Sequence, residues 1–261
     1  MDATQIARVA DLLLVAQHAV ALTGAGISTP SGIPDFRSGQ AGLWKQHDPM
    51  VVASLAGFRA SPQTFFGWFR GLARQMVEAE PNAAHYALAT LEARGLLHSI
   101  ITQNIDLLHT RAGSQQVYEL HGCIRQLTCM RCFKQFPAAP FLKAYLDDPT
   151  MSVLTCPTPG CAGQGILKPD VILFGEQLPA RVLAAAQREI RQCDLLVVAG
   201  SSLEVYPAAD LPRRALAQGA SLVIINREPT YYDQHARLVL RGDLVEVLPQ
   251  LVSAVEARQA W

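Results

Sequence analysis

Neither sign of charge is in excess in this chain of 261 residues: Lys and Arg total 22, and Asp and Glu total 22. Nucleic acid and anionic membranes recruit proteins through surplus positive charge, so direct binding to either is not expected. Long apolar runs are missing too. No uncharged stretch reaches the about 18 residues of a membrane-spanning helix. The N-terminal run Leu12-Leu13-Leu14-Val15 is interrupted on both sides by Asp2, Arg8, Asp11, Gln17 and His18. It lacks the cationic lead and cleavage site of an export signal. There is no internal repeat and no low-complexity tract. These absences leave one large domain, or one with a small module, in the cytoplasm. In that compartment six cysteines point to metal or free thiols instead of disulfides.

What is present is a core-forming chain, half of its residues hydrophobic, with apolar runs at regular intervals. Ile6, Val9, Ala10, Leu13 and Leu14 have helical spacing. A buried strand at 19–23 feeds Gly24-Ala25-Gly26-Ile27-Ser28-Thr29, a glycine turn whose backbone N–H groups suit a phosphate. Further strands are read at 99–102, 117–120, 169–176, 194–199, 221–226 and 238–240. Helices are read from Pro62 through the aromatic stretch to Leu72 and at about 82–95, 179–191, 208–218 and 243–257. Four of these strands stop at polar clusters, which places Gly24, Gln103, Gly200 and Asn226 on one rim of a parallel sheet. That rim is where open α/β sheets bind dinucleotides. A third glycine is also missing, since Thr29 stands where the G-x-G-x-x-G fingerprint ends. Hydride-transfer chemistry is thereby weakened as a reading.

Other residues add chemistry. Ile33-Pro34-Asp35-Phe36-Arg37 sets a stiff turn, an acid, an aromatic and a base beside the anion site. Gln103-Asn104-Ile105-Asp106 ends a strand, where turn chemistry alone also accounts for Asn and Asp. His121 ends another, before Gly122, as a structural histidine or as a proton-transfer group. His85 reads as a structural histidine. Cys123 stands two residues from His121 and is a weak candidate nucleophile. Phe65, Phe66, Trp68 and Phe69 make one helix strongly aromatic, either as core or in part as the wall of an apolar ligand channel. Cys129-x2-Cys132 and Cys156-x4-Cys161, 23 residues apart, can set four thiolates around one Zn²⁺; a redox dithiol is the alternative. Four cysteines leave no open position, which makes such a zinc structural. The cysteine module reads as a small insertion at about 123–168. The fold class expected is α/β: a Rossmann-like parallel sheet with helices on both faces, plus a small inserted zinc-ribbon and helical domain.

Taken together in order, Gly24-Ala25-Gly26-Ile27-Ser28, Gly32 to Arg37, Thr102 to Asp106, His121-Gly122, the four cysteines, Phe174-Gly175-Glu176 and Gly200-Ser201-Ser202-Leu203 resemble the sirtuins. These are NAD-dependent protein lysine deacylases, and the resemblance covers nearly the whole chain, most like the bacterial and archaeal single-domain members. It implies NAD⁺ as co-substrate and one structural Zn²⁺. It implies a Rossmann-like domain from 1–37, 81–122 and 169–261, with a small domain whose helical part is 38–80 and whose zinc part is 123–168. It implies that His121 is the general base and that the products are free lysine, nicotinamide and O-acyl-ADP-ribose. It assigns the cofactor to Gly24, Ala25, Gly26, Thr29, Asp35, Phe36, Arg37, Gln103, Asn104, Ile105, Asp106, Gly200, Ser201, Ser202, Asn226 and Leu244. Acyl-lysine segments of proteins are the expected partners, held as an added strand near Val171, Phe174, Gly175, Glu176 and Val205. A monomer is compatible with this. Relatives favouring succinyl or malonyl lysine carry a Tyr-x-x-Arg whose positions here are Gly67 and Arg70, so neutral acyl groups are expected, with Gly67 widening the channel. A mono-ADP-ribosyltransferase or a non-catalytic NAD- or acyl-lysine-binding module is the alternative.

Overall fold

The computed structural model describes residues 3–35, 43–161 and 163–259. In chain order the elements are α1 (Ala3–Val15), β1 (Ala19–Thr23), α2 (Leu43–Gln46), α3 (Pro49–Val52), α4 (Leu55–Ala60), α5 (Pro62–Glu78), α6 (Ala83–Ala93), β2 (Ser99–Thr102), α7 (Leu108–Arg111), β3 (Val117–Glu119) and β4 (Gly122–Cys129). There follow β5 (Gln135–Pro137), α8 (Ala138–Asp147), β6 (Leu167–Val171), α9 (Ala180–Gln192), β7 (Leu195–Ala199), α10 (Leu211–Ala217), β8 (Ser221–Ile225), β9 (Leu238–Leu240) and α11 (Leu244–Gln259).

Six strands form one parallel sheet in the order β3-β2-β1-β7-β8-β9. The order reverses between β1 and β7, so their C-terminal ends open a crevice at the switch point. Strands buried on both faces need an unbroken apolar run, as in Ala19 to Leu22 and Leu195 to Ala199. Alternate side chains serve opposite layers. Ala21, Ile100, Val197 and Val223 pack with α1, α6 and α11 through Val9, Leu88, Leu91, Leu248 and Val255. Val20, Leu22, Ile101, Val198 and Ile224 pack with α9 and α10 through Ile190 and Leu211.

Helix starts follow their caps. Ser61 accepts from the Thr64 amide ahead of Pro62 at the head of α5. Asn82 accepts from the Ala84 amide, while the Nδ1 of His85 accepts from the Asn82 amide, closing a capping box on α6. His85 thus has a structural task, as expected.

The antiparallel sheet β5-β4-β6 carries the cysteine module. Here one expectation is corrected. The strand read at 169–176 as part of the main sheet instead runs from Leu167 to Val171 and pairs with β4. Its residues look like those of a main-sheet strand, and pairing partners are chosen by packing that the local sequence does not encode. The register brings Gly122 against Val171, and a Cβ on Gly122 would lie 2.0 Å from the Asp170 carbonyl. The backbone there also has φ +69, so only glycine fits after His121.

Candidate active site

At the switch point the backbones of β1 and β7 nearly touch. The Gly26 amide donates to the Gly200 carbonyl at 2.9 Å. Gly200 has φ +67, and a Cβ on it would stand 2.6 Å from the Ile27 nitrogen. Beside it, Asn226 at the end of β8 is buried and makes a reciprocal pair with Ser201. It accepts from the Ser201 amide at 3.2 Å and donates to the Ser201 carbonyl at 2.7 Å. This holds the Gly200-Ser201-Ser202 turn open toward the crevice.

A cavity of about 270 Å³ lies on that rim, lined by Gly24, Ala25, Gly26, Thr29, Asp35, Gln103, Asn104, His121, Gly200, Ser201, Ser202, Asn226 and Leu244. Its donors are hydroxyls, amides and the backbone of small residues, the chemistry that phosphates and ribose require, so the phosphate and ribose part of a dinucleotide fits the set. Arg227, Glu228 and Asp243 also border it, with Arg227 ion-paired to Asp243. Sequence reading missed these three. The available signal was their position just past the ends of β8 and β9.

A larger cavity of about 730 Å³ shares Ala25, Gln103, Asn104 and His121 with the first. Ile105 and Asp106 line it, as do Val171, Phe174, Gly175, Glu176 and Val205. Its apolar wall comes from Phe65, Trp68, Phe69, Leu72 and Met76 of α5. Both readings of that helix therefore hold: Phe65 and Phe69 are buried in the core and also face the cavity. Phe36 and Arg37 lie outside the described residues.

His121 sits where the two cavities meet. Its Nδ1 is 3.0 Å from the Gln103 carbonyl. A carbonyl only accepts, so Nδ1 carries the proton and Nε2 keeps its lone pair. Burial holds the imidazole below its ordinary pKa, against the opposing pull of that hydrogen bond. The side chain of Gln103 donates to Ser201 at 2.7 Å, linking the two rims of the crevice.

Asp106 is 4% exposed and its pKa is raised by desolvation, which outweighs the hydrogen bonds that stabilise the carboxylate. Its Oδ2 accepts from Ser28 at 2.7 Å, and its Oδ1 accepts from the Leu108 amide at 2.9 Å. Ser28 in turn accepts from the Asn104 amide group at 3.0 Å. Burial drives the Cys123 thiol up to about 11, which leaves no useful thiolate at neutral pH and removes it as a nucleophile.

Gly67 is exposed on the far side of α5 and does not border the cavity, so it does not widen the channel. Arg70 is turned away as well. Its guanidinium donates to the carbonyls of Tyr145, Asp148 and Met151 and lies 3.7 Å over the Tyr145 ring. Glu176 is pinned by Lys168 at 2.9 Å and by the Leu173 amide at 2.8 Å.

In the small domain the sulfurs of Cys129, Cys132, Cys156 and Cys161 all lie within 4.8 Å of one another. The pairs Cys129–Cys161 and Cys132–Cys156 are 3.7 and 3.8 Å apart. A tetrahedron with Zn–S near 2.3 Å has edges of about 3.8 Å, so the four fit a zinc ion. The Arg131 and Cys132 amides point at the Cys129 sulfur, each at 3.4 Å, as a thiolate ligand favours.

The Sir2 family model matches residues 24–207. The chain belongs to the Sir2 family. It is 43% identical over 252 residues to "NAD-dependent protein deacylase 2" of Archaeoglobus fulgidus, covering 97% of this chain and 96% of the relative. It is 42% identical over 250 residues to an "NAD-dependent protein deacetylase" of Sulfolobus acidocaldarius, covering 96% and 95%. Among solved structures it resembles "Sir2-p53 peptide-NAD+", with TM-score 0.85, 38% identity and coverage of 96% and 98%. It also resembles "The structure of Sir2Af2 bound to a myristoylated histone peptide", with TM-score 0.82, 38% identity and coverage of 98% of each chain. This Sir2 enzyme is an NAD-dependent protein deacylase with NAD⁺ as co-substrate and one structural zinc. Among the described residues no helix is long and apolar enough to cross a membrane.

Proposed function

We propose that this enzyme removes neutral acyl groups from lysine side chains of proteins, with His121 as its general base. The observation that carries the acyl preference is the 730 Å³ cavity: its described lining includes no Lys or Arg, while Asp106, Glu176 and Glu204 contribute acid groups. An acidic acyl group would lose hydration there without gaining a cation. Arg70, the one cation that α5 offers at the position used for acidic groups, is already committed to three carbonyls.

NAD⁺, when bound, supplies a breakable bond to nicotinamide and the ribose hydroxyls that receive the acyl group. The chain supplies the rest. Nε2 of His121 takes a proton from a hydroxyl at the junction of the two cavities. Asp106 and Ile105 hold the nicotinamide end, with the Asp106 carboxyl fixed by Ser28 and Leu108. Gln103 and Asn104 stand at the ribose. Gly24, Ala25, Gly26, Thr29, Asp35, Gly200, Ser201, Ser202, Asn226 and Leu244 take the rest of the dinucleotide. Phe36 and Arg37 are assigned to the same cleft on the family motif alone. The aromatic wall of α5 excludes water from the reacting carbon. Val171, Phe174, Gly175, Glu176 and Val205 receive the peptide. Phe174 already bonds through its amide and carbonyl to Ala53 and Leu55, so it contributes its side chain and the neighbouring backbone.

The same reading divides the chain into a dinucleotide domain (1–37, 81–122 and 169–261) and a small domain (38–80 and 123–168). It also places the enzyme in the cytoplasm, where six unpaired cysteines stay reduced.

The test is mass spectrometry of acetyl-, long-chain acyl- and succinyl-lysine peptides incubated with enzyme and NAD⁺. Loss of the acyl mass with release of nicotinamide is expected for the first two. Succinyl-lysine should turn over at least about tenfold more slowly, a rate difference that corresponds to about 1.4 kcal/mol in the barrier. Equal succinyl turnover would overturn the acyl preference, and ADP-ribose gained on protein without deacylation would favour the transferase reading.

A further inference from the structure

The opposite edge of the main sheet, where the strands begin, carries a second cluster of ligand-type side chains. His18 precedes β1 and His98 precedes β2, two strands that pair in parallel with Val20 against Ser99. The register therefore sets the two imidazoles side by side, with ring centroids 3.9 Å apart. Glu189, in the last turn of α9, reaches up from below. Its Oε2 is 3.0 Å from His18 Nε2 and 3.8 Å from His98 Nε2, and the three ligand atoms lie within 4.8 Å of one another. Apart from the four cysteines, no other such group of His, Cys, Asp and Glu occurs among the described residues.

Two imidazole nitrogens and a carboxylate oxygen within 4.8 Å of one another are a recurrent donor set for zinc and its neighbours. With metal–ligand distances near 2.0–2.1 Å, a tetrahedral ion needs ligand atoms about 3.4 Å apart. The His18–Glu189 hydrogen bond at 3.0 Å and the His98–Glu189 contact at 3.8 Å straddle that value. A shift of a few tenths of an ångström in each would equalise them. His98 Nε2 is within ion-pair range of the same carboxylate, and its ring packs against that of His18.

The supporting shell is also in place. Ser99 donates to Glu189 Oε2 at 3.0 Å and Tyr118 donates to Oε1 at 3.2 Å, which fixes the carboxylate plane as outer-shell partners of metal ligands do. The backbone carrying His18 is clamped by Asp194, which accepts from the Gln17 amide at 2.7 Å and the His18 amide at 3.0 Å. His18 and Glu189 are largely buried, at 14% and 12% exposure, whereas His98 is 56% exposed. An ion therefore has a way in, and water can complete its coordination.

We infer that His18, His98 and Glu189 form a second divalent transition-metal site, suited to Zn²⁺, at the edge of the sheet away from the reaction. It ties the starts of β1 and β2 to the end of α9. It is independent of the cysteine site, which is already closed by four ligands.

The test is titration of Zn²⁺ by calorimetry into intact enzyme whose cysteine site is already filled. One further equivalent is expected to bind, and the melting temperature should rise with it. His98→Ala, a change at a half-exposed side chain outside both active-site cavities, should weaken this binding at least tenfold while leaving the deacylation rate and the first zinc equivalent unchanged. Glu189→Gln should do the same. No second equivalent in the wild type would overturn the inference. Binding that persists unchanged in His98→Ala would also overturn it, because the ion would then be adventitious elsewhere on the surface.

Discussion

The proton of His121 is placed by a group that cannot supply one. Because the Gln103 carbonyl accepts at Nδ1, the ring presents a basic Nε2 to the cavity junction, and burial keeps it neutral at physiological pH. The base works only when neutral, so its rate is full above the depressed pKa and falls as pH drops through it. The acid limb of the pH–rate profile should therefore lie below the ordinary histidine value of about 6.5. His121→Tyr should lower deacylation about 100-fold or more with little change in melting temperature. Steady-state rates across pH, with thermal melts of the variant, check both; retained turnover would remove His121 as the base. The residue types of this site were legible beforehand only in combination, because turn chemistry alone explains Asn and Asp at a strand end and a lone His is as readily structural. The tautomer was not legible, since it depends on a carbonyl 18 residues away in the chain.

At the scale of elements, the small sheet depends on its metal. Its edge strand β5 has three residues and pairs with β4 at three positions. The sulfurs of two cysteine pairs must meet between β4 and β6, and zinc binding contributes directly to folding such a module. Cys132→Ser is expected to lose the cysteine-bound zinc and lower the melting temperature, with metal analysis and calorimetric melting as the measurements. A full complement of that zinc and an unchanged melt would contradict the site. The cysteine spacing was enough to predict the module, whereas the membership of β6 was not. Leu167 to Val171 could pair in either sheet by composition, and only contact with β4 through Cys129, Thr128 and Gly122 selects one. Helix α5 was similarly ambiguous, because one apolar face can serve a core and a cavity together.

Across the whole molecule, folding buries two imidazoles in one layer behind the crevice. His85 is fully buried and its pKa falls from 6.5 to about 4 through desolvation. His109 is shifted in the same direction by burial and by His85, whose ring lies 5.0 Å away. Between about pH 4 and 6.5 the unfolded chain binds a proton that the folded chain does not. The stability held by neutral His85 is therefore complete above about pH 6.5 and is lost as pH falls toward 4, by about 3 kcal/mol for that residue. Melting temperature should fall over that range, and His85→Asn should flatten the decline. An identical decline in the variant would show that other groups cause it.

The sequence by itself determined the class of this protein. Apolar runs at strand spacing, polar residues at their ends and two cysteine pairs are local patterns, and each has its own physical cause in burial, turn geometry or metal coordination. Tertiary structure alone decided where those patterns meet. The order β3-β2-β1-β7-β8-β9 puts Gly24 against Gly200 and Gln103 against Ser201, contacts across 98 or more residues of chain. It also sets His18 beside His98 at the far edge, while carbonyls of α8 and the turn after it draw Arg70 away from the cavity. Such pairings follow from sheet register and layer packing, which arise from the sum of many contacts and are written in no single stretch of the chain.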